Sequence, residues 1–305
     1  MSVARFLELW PDDLELVLAD VGSAGGLKDR WRPARPAVSA LLFEPRDGGE
    51  PRRVGRDMLY PVALGPEAGR ATLNVTALTN MSSTLRPNRA LLETYRKKGD
   101  HTRITGTLEM PVDTLDAVVA RDGRRADAIK VDTQGSELGI LEGARRALRD
   151  SIFLAEVEVS FFERYEGQPL FRDIEGFMRE AGFELLDLYR LKRYRRCNRA
   201  GIANLSLGAG QRAGRLSYAD ALFFRVEQAL LDRVAAEGES LALKAILGLL
   251  VYGKPDVAAH LFDRTAHVFT PLRREKAERY FSGLAAQRVR GRKLHGLIDR
   301  LARRV

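Results

Sequence analysis

Apolar positions along this chain follow two rhythms. Short runs in which nearly every residue is apolar end abruptly at glycine, proline or an acid: "ELVLADVG", "AVSALLFEP" (37–45), "DMLYPVALG" (57–65), "DAIKVD" (127–132) and "SIFLAEVEVS" (151–160). Runs of this length and continuity predict strands buried on both faces. "ATLNVTAL" (71–78) alternates instead and predicts an added edge strand. Between them the spacing turns helical. "SVARFLELW" (2–10) predicts a helix stopped by Pro11, and "GTLEMPVDTLDAVVARDG" predicts a strand, a cap at Asp113 or Thr114, and a helix ending at Gly123. "SELGILEGARRALRD" (136–150) predicts one helix with Leu138, Leu141, Ala144 and Leu148 on its inner face, and "PLFRDIEGFMREAGF" (169–183) another. "ELLDLYRL" (184–191) and "LSYADALFFRV" (216–226) predict two strands joined by a long loop.

Strands alternating with helices through residue 183 predict a parallel sheet covered on both faces, and the final pair predicts antiparallel strands closing one edge. From residue 227 onward the pattern is helical, broken near Gly238, Gly253 and Pro271. The expected organisation is therefore an α/β domain over residues 1–226 and a basic helical domain over 227–305.

Composition narrows the compartment. A single cysteine, Cys197, excludes an internal disulfide framework and fits a reducing environment. The first residues lack the order of a secretory leader, and no apolar run nears the ~18 residues of a membrane span. A soluble cytoplasmic protein is the expectation.

The net charge of +9 is unevenly spread. Residues 191–217 carry Lys192, Arg193, Arg195, Arg196, Arg199, Arg212 and Arg215 and no acid, and residues 273–305 carry eleven Lys or Arg against Glu275, Glu278 and Asp299. The remainder of the chain is thus net acidic. Basic stretches of this kind attract anions in general, or are solvated surface. They lack the interleaved exposed aromatics of a dedicated nucleic-acid reader. The loop suits an acidic, phosphorylated or nucleotide-linked acceptor, and 227–305 offers a contact for a protein partner or a second copy.

Candidate chemistry gathers where strands end. "LADVGSAGG" sets Asp20, Gly22, Ser23, Gly25 and Gly26 at a strand-to-helix turn, the place where such sheets hold nucleotide-like cofactors. Glu44, at the end of the next strand, is placed to accept ribose hydroxyls. The pattern admits a dinucleotide or S-adenosyl-L-methionine. Ala24, where the dinucleotide fingerprint has its second glycine, and the antiparallel terminal pair favour the latter. Asp132 ends the strand before "TQGSELG". Glu156 and Glu158 share one face of the following strand. Two adjacent carboxylates need cations, a shared proton or a metal, and Asp132 beside them would complete an oxygen site; the simpler expectation is an arginine partner and solvent, with no metal. Tyr165 and Gln168 follow that strand and could shape a substrate pocket. His101 reads as a surface histidine.

The stretches "LADVGSAGG", "ALLFEP", "YPVALGPEAGRATLNV", "TLDAVV", "IKVDTQGSELGILEGA", "FLAEVEVSFFERYEGQPLFRDIEGFMREAGF" and "YADALFF", in this order over roughly residues 15–226, resemble the FkbM-type S-adenosylmethionine-dependent methyltransferases. The resemblance implies a class I methyltransferase fold: a doubly wound, mostly parallel α/β sheet with an antiparallel terminal strand. It implies methyl transfer to a hydroxyl, on a sugar or another small-molecule or glycan acceptor. It implies that Asp20, Gly22 and Gly26 line the methionine part of the cofactor, that Glu44 holds the ribose, and that Asp132 stands beside the transferable methyl. The chain departs from the family pattern at Gln134, where many members have Glu, and at Gly25, where a larger apolar residue is common. Residues beyond 226 lie outside the resemblance. The other readings are an N- or carboxyl-methyltransferase on the same scaffold, a cofactor-binding protein without transfer activity docked through its basic tail, and, last, a nicotinamide oxidoreductase.

Overall fold

The computed structural model describes residues 3–23, 26–202 and 212–302, with side chains to residue 286. These residues divide into two compact units, one of Val17–Leu27 and Ser39–Val226, the other of Met1–Leu16, Lys28–Val38 and Glu227–Val305. The expected division at residue 226 differs from this one in two stretches, 1–16 and 28–38, which group with the C-terminal helices.

The strands, in chain order, are β1 (Leu16–Val21), β2 (Val38–Phe43), β3 (Arg52–Val54), β4 (Asp57–Tyr60), β5 (Ala63–Leu64), β6 (Gly69–Thr76), β7 (Ile104–Asp113), β8 (Ala128–Val131), β9 (Leu154–Ser160), β10 (Phe183–Tyr194) and β11 (Arg215–Arg225). Eight of them form one sheet in the order β10-β11-β9-β8-β1-β2-β4-β3. β8 runs parallel to both β1 and β9, and β4 runs parallel to β2. β11 is antiparallel to both β9 and β10, and so is inserted between them rather than laid on the outside. This is the class I methyltransferase arrangement, with β3 added antiparallel at the far edge.

Every residue of β1, β2, β8 and β9 is buried, as continuous apolar runs require. Their register is set at the starts of strands by carboxylates that accept backbone N–H groups. Asp127 Oδ2 accepts from Val17 N at 2.8 Å, and Asp57 Oδ1 from Ala40 N at 2.8 Å. The core lies between this sheet and its helices, with Ile140, Leu141, Leu148, Ile174 and Met178 packed against β8 and β9 residues such as Ile129 and Val157.

Two elements depart from the sequence reading. "ATLNVTAL" does not extend the main sheet; β6 pairs with β7, and β5 with β7, in a separate three-stranded sheet. The run 57–65 is accordingly cut at Pro61, which has no N–H to give the ladder. The helix expected over 136–150 is two helices, Glu137–Glu142 and Arg145–Asp150. The break falls at Gly143, where the backbone touches that of Gly65: a Cβ there would lie 2.0 Å from the Gly65 carbonyl oxygen. The Thr114 cap, whose hydroxyl accepts from Ala117 N, and Gly123 after helix Leu115–Asp122 follow the expected signals, whereas the run 2–10 is a short helix, Val3–Phe6, continued by a 3-10 turn, Leu7–Leu9, and β10 runs on to Tyr194.

The second unit is helical. Its long segments are Glu227–Glu237, Glu239–Val251, Pro255–Thr265 and Pro271–Ala302, broken at the glycines and proline that the pattern marked. Helix Glu239–Val251 is apolar on nearly every side and is its core. Phe6 meets Tyr280 edge-on at 5.3 Å, and Trp31 meets Tyr252 at 5.8 Å, which is how the N-terminal stretches join this core. No described helix is long and apolar enough to cross a membrane.

The Gly143 contact is backbone against backbone, so a side chain there must displace one segment. Gly143→Ala is expected to destabilise the α/β unit by about 1–3 kcal/mol, the usual range for overpacking, as read from the denaturation midpoint; an unchanged midpoint would refute the contact.

Candidate active site

The carboxyl ends of β1, β8 and β9 lie side by side, and their registers place charged residues in two rungs. The first runs Asp20 on β1, Lys130 on β8, Glu156 on β9; one step on, Glu158 on β9 lies opposite Asp220 on β11, level with Asp132 just past the end of β8. Nearly all of these side chains are buried. Burying a charge is tolerated only where partners replace water, and the partners can be named.

In the first rung Lys130 is the cation. Its Nζ lies 3.0 Å from Asp20 Oδ1 and donates to the carbonyls of Val21 at 3.2 Å and Gly22 at 3.0 Å. The ammonium therefore holds the turn after β1 as well as the carboxylate. Gly22 sits there with φ +76°, and a Cβ would lie 2.2 Å from the Asp132 carbonyl oxygen. Only glycine allows the turn and the end of β8 to come this close. Gly22 N and Ser23 N both donate to the Phe43 carbonyl of β2, at 3.1 and 3.4 Å.

In the second rung the linking group is Gln134, in left-handed backbone geometry at φ +62°. Its Nε2 donates to Asp132 Oδ1 and to Glu158 Oε1, both at 3.0 Å. Its Oε1 accepts from Arg164 Nη1 and from the Tyr165 hydroxyl, both at 3.3 Å. Arg164, only 1% exposed, also pairs with Glu158 Oε1 through Nη2 and reaches Ser160 Oγ through Nε at 3.0 Å. Gln168 completes the frame, accepting from Arg164 N at 3.2 Å and donating to Ser160 Oγ at 3.0 Å. Arg190, also in left-handed geometry at a β10 bulge, brings Nη1 to 3.1 Å from Asp220 Oδ2.

The electrostatic outcome is asymmetric. Burial pushes the Glu158 carboxyl up, to about 8, with the Asp132 and Glu137 charges adding and the Arg164 guanidinium opposing. Arg164 itself is held further up by Glu158, against the effect of its burial, and stays charged. Glu137, on the neighbouring helix, is pushed up by burial, while N–H donors pull it back. Its Oε1 accepts from Thr133 N at 3.0 Å, and both its oxygens accept from Gly135 N, at 3.0 and 2.9 Å. The loop 133–135 thus folds around Glu137, whereas the Ser136 side chain caps nothing.

A second feature lies beyond β2. Ser23, Gly26, Leu42, Glu44, Arg46, Asp47, Arg52, Val54 and Leu59 line a cavity of about 600 Å³. The Glu44 carboxylate is gripped by Arg46, whose Nε and Nη2 reach Oε1 and Oε2 at 2.8 and 2.9 Å. This guanidinium holds the Glu44 pKa below its ordinary value although burial works the other way. Glu44 is therefore an anion with both oxygens oriented.

The sequence-derived candidates fall into two groups. Ser23, Gly26 and Glu44 stand on the cavity wall. Asp20, Gly22, Asp132, Glu156 and Glu158 stand in the charged rungs at the strand ends. Gly25 lies outside the described residues. Among the described residues no group of three His, Cys, Asp or Glu is arranged to hold a metal ion; the Gln134 amide bridges Asp132 and Glu158, and Arg164 pairs with Glu158. Lys130, Arg164 and Arg46 escaped the sequence reading. A lysine two residues before Asp132, inside an otherwise apolar strand, was the one available signal.

The model of the methyltransferase FkbM domain matches residues 33–185, just over half of the chain. The chain belongs to the FkbM methyltransferase family. Comparison with curated proteins finds no match. Among solved structures, this FkbM protein is similar to the methyltransferase FkbM from Methylobacillus flagellatus KT, at 13% identity over 70% of this chain and 44% of that one, with a TM-score of 0.35. It thus spans less than half of that protein's length. It is also similar to precorrin-6y C5,15-methyltransferase from Geobacter metallireducens GS-15, at 10% identity over 73% and 88% of the two chains with a TM-score of 0.27. A third is the 16S rRNA (adenine(1408)-N(1))-methyltransferase from Catenulisporales acidiphilia, at 14% identity over 74% and 94%, with a TM-score of 0.30.

FkbM membership implies S-adenosylmethionine as the methyl donor, and the residues present fit it. The cavity has the volume of a small-molecule site. It offers an oriented carboxylate beside apolar Leu42, Val54 and Leu59, and Gly26 leaves open space where a side chain would stand. The carboxylates of the adjoining strand ends suit a donor with two positive charges, its sulfonium and its ammonium.

Two outcomes follow. Glu137→Gln removes one of the oxygens on which the 133–135 loop folds and is expected to lower stability by about 1–3 kcal/mol, measured by denaturation. The Glu158 pKa in the fold, about 8, exceeds its ordinary 4.5. Its stabilising contribution is therefore complete below pH 4.5 and is lost as pH rises through 8. The melting temperature should fall between pH 4.5 and 8, and Glu158→Gln should flatten that fall by about 2–4 °C.

Proposed function

We propose that this protein is an S-adenosylmethionine-dependent O-methyltransferase acting on a hydroxyl of a sugar or glycoconjugate. The observation that carries the reading is the Asp132–Gln134–Glu158–Arg164 frame at the ends of β8 and β9, beside a glycine turn and a cavity with an oriented Glu44.

When bound, the donor supplies a methyl group on a sulfonium. An alcohol attacks it poorly until its proton begins to leave, so a positioned base is what the chain must contribute. Asp132 takes that role in this reading. Gln134 fixes its Oδ1 by hydrogen bonding, which orients the carboxylate at the end of β8. Glu158, pushed up to about 8, is mostly protonated at neutral pH, and its bonds to Gln134 and Arg164 make it a positioning group. Glu44 and Arg46 hold the ribose of the donor, and Ser23 and Gly26 the turn around it. Orientation by these fixed groups supplies most of the remaining barrier reduction.

Asp132→Asn keeps the shape and removes the base. Turnover is expected to fall about 10²–10⁴-fold while S-adenosylmethionine affinity, measured by calorimetry, stays within about threefold. A comparable loss of donor affinity would instead assign Asp132 to holding the donor. Absence of calorimetric binding by S-adenosylmethionine and S-adenosylhomocysteine would overturn the methyl-transfer reading. Transfer of labelled methyl into base-stable ethers on glycans or nucleotide sugars would support the O-linkage, and base-labile or amine-linked label would refute it.

A further inference from the structure

The segment after β10 does not simply loop into solvent. Residues 94–97 run alongside 195–197: Arg96 N donates to the Arg195 carbonyl at 3.0 Å and Cys197 N to the Thr94 carbonyl at 2.9 Å, with Tyr95 and Arg196 bridged. Two basic stretches far apart in sequence are thereby joined into one surface. It carries Arg96, Lys97 and Lys98 from the first, and Lys192, Arg193, Arg195, Arg196, Arg199 and Arg215 from the second.

Beneath it lies an aromatic cluster. Tyr95 stacks on Phe162 at 5.5 Å, and Tyr194 meets Tyr95, Phe162 and Tyr218 edge-on at 5.6, 5.9 and 6.2 Å. Each ring carries a cation: Lys98 lies 4.4 Å over Tyr194, Arg196 4.8 Å over Tyr95, Arg215 4.4 Å over Phe162 and Arg164 4.4 Å over Tyr218. Such contacts hold a guanidinium or ammonium in place without neutralising it.

These cations are gathered on one surface without acids among them. Elsewhere, arginines such as Arg89, Arg121, Arg179, Arg264 and Arg273 pair with carboxylates. Among the described residues, none of the nine cations of this surface has a carboxylate within ion-pairing distance. Residues 203–211 contain no acid that could supply one. Lys98 is the most telling, being partly buried; burial and the nearby Arg164 charge both lower its pKa. An anion beside it would relieve that strain. The buried Tyr95 hydroxyl likewise has no hydrogen-bond partner among the described residues.

The surface is also wired to the candidate site. From Lys98 the contacts run through Tyr194 and Tyr218 to Arg164, and from Arg164 to Glu158. We propose that Lys98, Arg196 and Arg215 bind a phosphoryl group of the acceptor, so that the hydroxyl methylated belongs to a phosphorylated or diphosphate-linked compound. The proposal rests on the methyl-transfer reading for its choice of ligand, and on unpaired, ring-seated cations for its site. A nucleic acid fits less well, because the rings beneath the cations are buried and offer bases no face on which to stack.

The test uses inorganic pyrophosphate as probe and the full chain. Calorimetry should show binding that weakens as salt is raised. It should be about tenfold weaker in Lys98→Gln and in the double variant Arg196→Gln, Arg215→Gln, with S-adenosylmethionine affinity within about twofold of the parent. Retained donor binding also certifies that the variants fold. Lys98→Arg should preserve pyrophosphate binding, and Arg172→Gln, at an exposed pair with Asp173, should not alter it. The proposal is overturned if pyrophosphate does not bind, or binds all variants alike. It is equally overturned if these substitutions abolish capture of single-stranded RNA or phosphatidylglycerol vesicles while leaving pyrophosphate binding intact. Pyrophosphate binding without any S-adenosylmethionine binding would sink the methyl-transfer reading and leave the anion site standing.

Discussion

A lysine ammonium buried among strand ends fixes the geometry on which the rest of the site depends. Lys130 sits in an apolar strand, and its transfer from water would be costly in isolation. It is held by the Asp20 carboxylate and by the carbonyls of Val21 and Gly22, with Glu156 opposite it in the neighbouring strand. These contacts reach from β8 to the turn after β1, so two strands are locked at the level where their hydrogen-bonded ladder ends. Gly22 then meets the Asp132 carbonyl, and the direction in which Asp132 leaves the sheet is decided.

The next rung shows how the chain keeps two carboxylates close. Glu158 and Asp132 would repel each other in a medium of low polarity. An amide NH2 between them donates to both, and a guanidinium on the far side of Glu158 supplies a full charge. Gln134 can make this bridge because its Oε1 is satisfied by Arg164 and Tyr165, leaving the nitrogen free to face the acids. The left-handed backbone at Gln134 directs the side chain there, and Glu137 stabilises that backbone by accepting the N–H groups on either side. Strain at one residue is thus offset by hydrogen bonds from the next helix.

Much of this fold was legible because its strands are buried on both faces and read as unbroken apolar runs. The ends were legible too, since a strand such as "DAIKVD" must stop where an acid can find a partner. The partners were not. Arg164 reads as one more arginine in "SFFERYEG", and its burial becomes evident only when Ser160, Gln168 and Glu158 surround it. The split of the helix at Gly143 depends on Gly65, which lies almost eighty positions earlier. The assignment of β5, β6 and β7 to a second sheet is likewise a long-range pairing that local propensity does not encode. The grouping of residues 28–38 with the C-terminal helices follows from Trp31 meeting Tyr252, a contact of the same kind.

The departure from the family pattern at Gln134 now has a physical meaning. A glutamate there would bring a third carboxylate between Asp132 and Glu158, in place of an amide. One acid would have to keep a proton, and the position of that proton would govern which oxygen remained basic. Glutamine adds no further acid: its nitrogen is always a donor, so Asp132 and Glu158 are each approached by a hydrogen whatever the pH. The amide also consumes one acceptor site on each carboxylate, which narrows the directions from which a hydroxyl can approach Asp132. In this chain Glu158 carries the load of holding the arginine, and Gln134 ties Asp132 to that pair.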